Sequence, residues 1–232
     1  MTNILGVIPA RGGSKGIPNK NLALVGGRPL LAYTADAAKE SKRLTRTIVS
    51  TDDEKIADSA RSLGLDVPFL RPRSLAADEA PMLPVLQHAI DALESDGFTT
   101  DIVVLLQPTS PLRRGEHIDA AVDLLERTGA ESVVSVVEVP HQFNPVSVMH
   151  IGGGDRLEPY LSSHLVLRRQ DKPQLYARNG PAVLAVRADA IARGILYGSN
   201  CRALVMRPED SLDVDTPWDL SLVESVLMRA GR

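Results

Sequence analysis

Two short stretches hold residues whose types and spacing could do chemistry. The first reads Pro9-Ala10-Arg11-Gly12-Gly13-Ser14-Lys15-Gly16-Ile17-Pro18-Asn19-Lys20-Asn21. Its glycines let backbone N–H groups approach an anion closely, and Arg11, Lys15 and Lys20 add cations. That combination suits a polyphosphate; a solvated basic turn has the same composition. Neither the P-loop pattern nor the Gly-x-Gly-x-x-Gly dinucleotide fingerprint is present. The second stretch is Ser211-Leu212-Asp213-Val214-Asp215-Thr216-Pro217-Trp218-Asp219. In an extended segment Asp213 and Asp215 point to the same side. Thr216 then reads as a helix N-cap, Pro217 as a first helical residue and Asp219 as the partner in a capping-box-like pattern. Two carboxylates held before a rigid helix suit Mg²⁺, which takes one or two carboxylates plus substrate phosphates. The competing readings are two acids that favour a helix dipole, or a phosphatase-type Asp-x-Asp-x-Thr, which belongs after an early strand rather than near the C-terminus.

The elements that must position these stretches follow from the apolar periodicity. Ile4–Ile8, Thr47–Thr51, Val67–Leu70, Ile102–Leu106, Ser132–Val137, Ala182–Val186 and Ala203–Met206 read as strands. Helices are expected from Pro29 and over Asp53–Leu63, Met82–Leu93, Gly115–Arg127, Ala188–Leu196 and Thr216–Met228. Strands alternating with helices of this length give an α/β fold, its mainly parallel sheet covered by helices on both faces. The continuous apolar strands agree with double coverage. In such sheets ligands bind outside the carboxyl ends of the strands, where the Gly-rich loop and Gln107-Pro108-Thr109-Ser110-Pro111-Leu112-Arg113 both fall. The rhythm breaks over Glu138–Ala177, which holds four prolines and the Gly152–Gly154 run. This stretch reads as an arm inserted into a single domain of residues 1–232, either a lid or a grip on a partner subunit.

Composition narrows the function classes. In 232 residues the hydrophobic fraction is 44%, enough for a real core and too much for a disordered chain. The net charge of −3 and an aromatic content of 3% argue against a nucleic-acid partner. A single cysteine, Cys201, excludes an intramolecular disulfide framework and a cysteine-based zinc site. No apolar run reaches the length of a membrane helix, and the N-terminus lacks the pattern of a signal peptide, so the expected location is the cytoplasm, without a membrane partner. Asp52 is expected to cap the second helix, and Trp218 to anchor the last one by packing.

The two stretches do not stand alone. The loop from Ile8 to Asn21, Val49-Ser50-Thr51-Asp52, Arg71-Pro72 with Leu75-Ala76-Ala77-Asp78, Leu106–Arg113, Arg178-Asn179-Gly180 and Asp210–Thr216 follow one another in this order along the chain. With these residues the sequence resembles the CMP-N-acylneuraminate synthetase (acylneuraminate cytidylyltransferase) family. The resemblance implies a Rossmann-like nucleotidyltransferase fold with an inserted dimerisation arm, and a homodimer. It implies transfer of CMP from CTP to the anomeric hydroxyl of a 2-keto sugar acid, with release of pyrophosphate and dependence on Mg²⁺, Mn²⁺ being able to substitute. By carry-over, Arg11, Ser14 and Lys15 surround the triphosphate, Lys20 meets the reacting phosphate, and Asn21 lies beside the nucleotide. Arg71 and the Ala80 backbone read the cytosine edge. Gln107 and Asn179 face the sugar acid, Arg168 or Arg169 reaches the neighbour's sugar site, and Asp213 and Asp215 hold the metal. Arg11, Lys20 and Asp215 are the implied catalytic groups. The chain departs from the family at Asn179-Gly180-Pro181-Ala182-Val183, where Val183 replaces an aromatic that often lines the acyl pocket. The acid is therefore left open among sialic, legionaminic, pseudaminic and other 2-keto acids. The alternatives are an eight-carbon 3-deoxy-octulosonate-type cytidylyltransferase and a non-catalytic nucleotide-binding protein.

Overall fold

A computed structural model describes residues 2–14, 16–161, 166 and 168–229. Among the described residues eleven strands form: β1 (Ile4–Pro9), β2 (Leu24–Val25), β3 (Arg28–Pro29), β4 (Arg46–Ser50), β5 (Ile102–Leu105), β6 (Ser132–Glu138), β7 (Met149–Ile151), β8 (Leu157–Pro159), β9 (Tyr176–Arg178), β10 (Leu184–Arg187) and β11 (Cys201–Val205). Six α-helices accompany them: α1 (Leu30–Glu40), α2 (Glu54–Ser62), α3 (Met82–Ser95), α4 (Gly115–Thr128), α5 (Ala188–Ala192) and α6 (Pro217–Arg229).

The main sheet has the order β11-β6-β10-β5-β1-β4. The pairs β11–β6, β5–β1 and β1–β4 are parallel, while β10 runs antiparallel to both its neighbours. A mainly parallel sheet was expected; the reversed strand was not. From β1 the chain goes first to β4 on one side and then to β5 on the other. The carboxyl end of β1 is thus the topological switch point, where open α/β sheets leave a crevice. The Gly-rich loop begins there.

Alternation along the strands divides the core. Ile4 and Ile8 of β1 pack with α1, α2 and α4 on one face, and Leu5 and Val7 pack with α3 and α5 on the other. A third cluster joins Ile17 of the Gly-rich loop, Val25 of β2, Leu30 and Tyr33 of α1, Leu112, Val214, and Val223 and Leu227 of α6. This cluster docks the segment carrying Asp213 and Asp215 against the loop after β1.

Further elements differ from expectation. Pro29 precedes α1 and pairs in β3 instead of being the first helical residue. Val67–Leu70 makes only isolated bridges, Ile48 with Asp66 and Thr51 with Leu70. Pro68 lacks the N–H that a continuous ladder needs. Helix α5 stops at Ala192 because Gly194 takes φ +84°, a left-handed turn that ends the helix. Asp52 does not cap α2; Asp53 does, accepting from Lys55 N and Ile56 N. After β6 the chain leaves the sheet, forms the β7–β8 hairpin, and returns as β9, antiparallel to β6. No helix among the described residues is long and apolar enough to cross a membrane.

Candidate active site

The Gly-rich loop is folded back on itself. The side chain of Asn21 donates to the carbonyl of Arg11 at 3.0 Å. Asp52, at the end of β4, accepts the Gly12 N–H at 3.0 Å, so its carboxylate holds the loop and not a helix end. Gly16 passes so close to the last acidic segment that a Cβ there would lie 2.4 Å from the Asp215 carbonyl oxygen. Only glycine permits this approach. The Lys20 ammonium completes the junction, donating to the Val214 carbonyl and to Asp215 Oδ1, each at 2.9 Å.

These contacts bound a cleft of about 380 Å³. Arg11, Ser14, Lys20, Asn21, Arg71, Gln107, Asp213 and Asp215 all line it, so residues spread over the chain are brought together. Arg11 pairs with Asp78 at 2.7 Å. Arg71 is buried; its guanidinium donates to the carbonyls of Ser50 and, at 3.4 Å, Leu75. Burial pushes that guanidinium below its ordinary value, and nearby Asp52 pulls the other way. Burial likewise pushes the Asp213 carboxyl up, and the charge of Asp215 adds to the rise. The Ser110 hydroxyl donates to Asp213 at 3.4 Å. Thr216 and Asp219 cap α6 reciprocally: Thr216 N donates to Asp219 Oδ2 at 2.7 Å, and Asp219 N to Thr216 Oγ1 at 3.3 Å. The acid pair therefore sits immediately before a fixed helix start.

Other expected site residues lie elsewhere. Lys15 is outside the described residues. Ala80 does not line the cleft, although Met82 does; the Ala80 N–H is taken by the Ala77 carbonyl at 3.0 Å. Asn179 is turned inward. Its Oδ1 accepts from Ser135 Oγ at 2.6 Å, and its Nδ2 donates to Ser211 Oγ at 2.9 Å. Within this chain the side chain thus fixes the β9–β10 connection, and its neighbour Gly180 lines the cleft. Val183 is fully buried in the main core, so the position bears on packing and not on an acyl pocket. Arg168 pairs with Asp171 at 2.7 Å on the excursion, and neither it nor Arg169 lines the cleft of its own chain. Trp218 is 74% exposed and anchors nothing in the described chain; Leu220 and Val223 turn inward instead. Met82, Thr109 and Gly180 line the cleft without having been assigned to it from sequence. Thr109 stood in a quoted motif, and its position just past a central strand was the available signal.

A profile of the cytidylyltransferase family matches residues 5–200. The chain belongs to the cytidylyltransferase family. It is accordingly a nucleotidyltransferase. Among curated relatives, this cytidylyltransferase is 36% identical to the CMP-N,N'-diacetyllegionaminic acid synthase of Legionella pneumophila, covering 97% of this chain and 96% of the relative. It is 32% identical to the N-acylneuraminate cytidylyltransferase of Escherichia coli O18:K1:H7 over its whole length, which is 54% of that protein. Among solved structures, CMP:2-keto-3-deoxy-manno-octonic acid synthetase complexed with CTP superposes with a TM-score of 0.73, covering 99% of this chain and all of the other. At 16% identity that likeness speaks for the fold alone: a Rossmann-like nucleotidyltransferase architecture.

Proposed function

We propose that the protein transfers CMP from CTP to the anomeric hydroxyl of a 2-keto sugar acid of the sialic-acid type and releases pyrophosphate. The observation that carries this reading is the junction of the Gly-rich loop with the Asp213/Asp215 segment through Lys20, 195 residues from Asp215. It sets cations and carboxylates around one cleft at the sheet's switch point. The relatives' names supply the acceptor class, and the full-length match to a legionaminic acid synthase favours an acylated nine-carbon acid over an eight-carbon one.

Phosphoryl transfer needs positioning and charge stabilisation more than covalent help from the protein. Arg11 and Ser14 on the loop are assigned to the triphosphate and Arg71 to the base, a reading supported by all three lining one cleft. The acceptor hydroxyl forms the new O–P bond at the α-phosphorus while the bond to the pyrophosphate oxygen breaks. Lys20 answers the charge that grows there. Asp215, the more exposed of the two acids, takes the hydroxyl proton.

The donor set suits Mg²⁺. Asp213 and Asp215 supply hard carboxylate oxygens in one cleft, leaving substrate phosphates and water to complete the coordination. When bound, the ion would neutralise phosphate charge and orient the leaving group. Pyrophosphate release from CTP, followed with a panel of 2-keto acids, tests the reading. Turnover with an acylated nine-carbon acid, abolished by chelator and restored by Mg²⁺ or Mn²⁺, is expected. Full activity in excess chelator would remove the metal, and no turnover with any acid would remove the reaction.

A further inference from the structure

Arg113 is 1% exposed, and no carboxylate among the described residues pairs with it. Its Nη1 donates to two carbonyls, that of Gln107 at 3.0 Å and that of Ala182 at 2.7 Å. Its Nη2 donates to Thr34 Oγ1 of α1 at 2.6 Å. One planar group therefore ties together the loop after β5, the connection between β9 and β10, and a core helix.

Those are the segments that build the far wall of the cleft. The Gln107 side chain reaches from the first segment to the Gly180 carbonyl of the second, at 3.4 Å. The Thr109 carbonyl accepts the Val214 N–H at 2.8 Å, and Ser110 donates to Asp213. Gly180 packs so tightly here that a Cβ would lie 3.0 Å from Ser110 Oγ and 3.5 Å from Asp213 Oδ1. Its φ of +117° also belongs to glycine. The acidic segment thus rests on a surface whose two halves meet at the Arg113 guanidinium.

A buried cation without a counter-charge is a costly way to fill space; an apolar side chain of similar volume would serve folding better. A guanidinium offers something a single amine does not, namely a rigid planar fork: one nitrogen holds both carbonyls and the other the Thr34 hydroxyl, so all three partners are fixed relative to one another. Burial pushes Arg113 down to about 9, so at neutral pH the group keeps its full set of donors.

We propose that Arg113 is a positioning residue for the transfer reaction: its fork holds the Gln107 loop and the Gly180 connection in the placement that presents both to Asp213. The proposal rests on the reaction assigned above. Arg11 and Asn21 hang on the loop after β1 and Arg71 on the segment between α2 and α3, outside this clamp, so nucleotide binding is not expected to depend on it.

The test uses Arg113→Met and Arg113→Lys in the full chain. The first keeps volume and removes the fork; the second keeps the charge. Steady-state constants for CTP and for the sugar acid are read beside amide hydrogen exchange across the molecule. Arg113→Met is expected to lower kcat on the order of 10²-fold, the scale of a small misplacement in a preorganised site. KM for the sugar acid should rise several-fold while KM for CTP stays within about twofold, and Arg113→Lys should recover part of kcat. Exchange should quicken in peptides covering 105–115 and 176–186 and not in β1 and β4. Unchanged kcat in folded Arg113→Met would overturn the proposal. So would a rise in exchange spread over the whole molecule with KM for CTP climbing in step. Should Arg113→Met not fold, the same readouts on Arg113→Lys decide. Should the parent release no pyrophosphate, the reaction assignment fails on its own, and exchange confined to the two segments still supports the clamp, while unaltered exchange overturns it.

Discussion

Lys20→Met offers the sharpest separation of fold from chemistry. The Lys20 side chain is 14% exposed, and its ammonium holds two partners, the Val214 carbonyl and the Asp215 carboxylate. The ion pair contributes little to stability. Asp215 is 72% exposed, and solvent screening leaves such pairs at about 0–1 kcal/mol. The bond to the carbonyl adds roughly 1–2 kcal/mol, and methionine keeps most of the apolar packing of the stem. The melting temperature should therefore fall by only a few degrees, at about 2–4 °C per kcal/mol for a chain of this size. The effect on the reaction is expected to be larger. Removing one preorganised charge from a transition state costs about 3–4 kcal/mol, or 10²–10³-fold in turnover. Coupled pyrophosphate release measures kcat, calorimetric titration measures CTP affinity, and a thermal melt measures stability on the same preparation. A variant that melts normally and turns over within about fivefold of the parent would refute the assignment of Lys20 to the reacting phosphate.

The remaining predictions concern the acid pair, the base and the excursion. On raising the pH, the unfolded chain releases the Asp213 proton before the folded one does, because burial raises the folded value. The ionised carboxylate thus costs the fold stability above that window. Asp213→Asn should accordingly melt higher than the parent at neutral pH without added metal, the gain vanishing as the pH falls through the ordinary carboxylate range, while turnover drops on the order of 10²-fold. Equal melting at neutral pH would count against a buried charge there. CTP should be preferred over UTP by up to about 10⁴-fold, because a site at Arg71 built for cytosine leaves polar groups unpaired against uracil; comparable kcat/KM for the two would exclude that role. Arg168→Ala and Arg169→Ala should raise KM for the sugar acid alone, and mixing either with Lys20→Ala chains should restore activity if the sites are shared between two subunits. A monomer by light scattering, or no recovery after chain exchange, would leave the excursion as a lid.

How far the sequence carries the site differs from residue to residue, for physical reasons. The Gly-rich loop and the acid pair were legible because their chemistry is local: several cations beside glycines, and two carboxylates two apart. The rule for strand ends placed the Gly-rich loop beside the loop after β5. The direction of β10 was not legible, since a buried strand has the same apolar run whichever way it points. Asn179 and Arg113 show a second limit. A polar side chain in a loop after a strand reads as a ligand-facing group, yet both turn inward and spend their donors on backbone and neighbouring hydroxyls. Arginine is so rarely fully buried that nothing in the loop's composition announces it. Trp218 is the converse case: the expectation that a lone tryptophan packs failed because the helix turns its aliphatic residues to the third cluster instead.

That third cluster sets an order of events during synthesis. Ile17 and Val25 leave the ribosome early, whereas Val214, Val223 and Leu227, their packing partners, are made only after every strand of the main sheet. Chains are made from the N-terminus, and contacts of large sequence separation form late. The main sheet can gather most of its strands while the loop after β1 still lacks the surface that seats it. Until α6 is made, the chain carries the Asp213/Asp215 segment without the Val223 and Leu227 contacts that seat it against the loop after β1. The cleft is therefore complete only once α6 has docked, a step that follows the gathering of the main sheet.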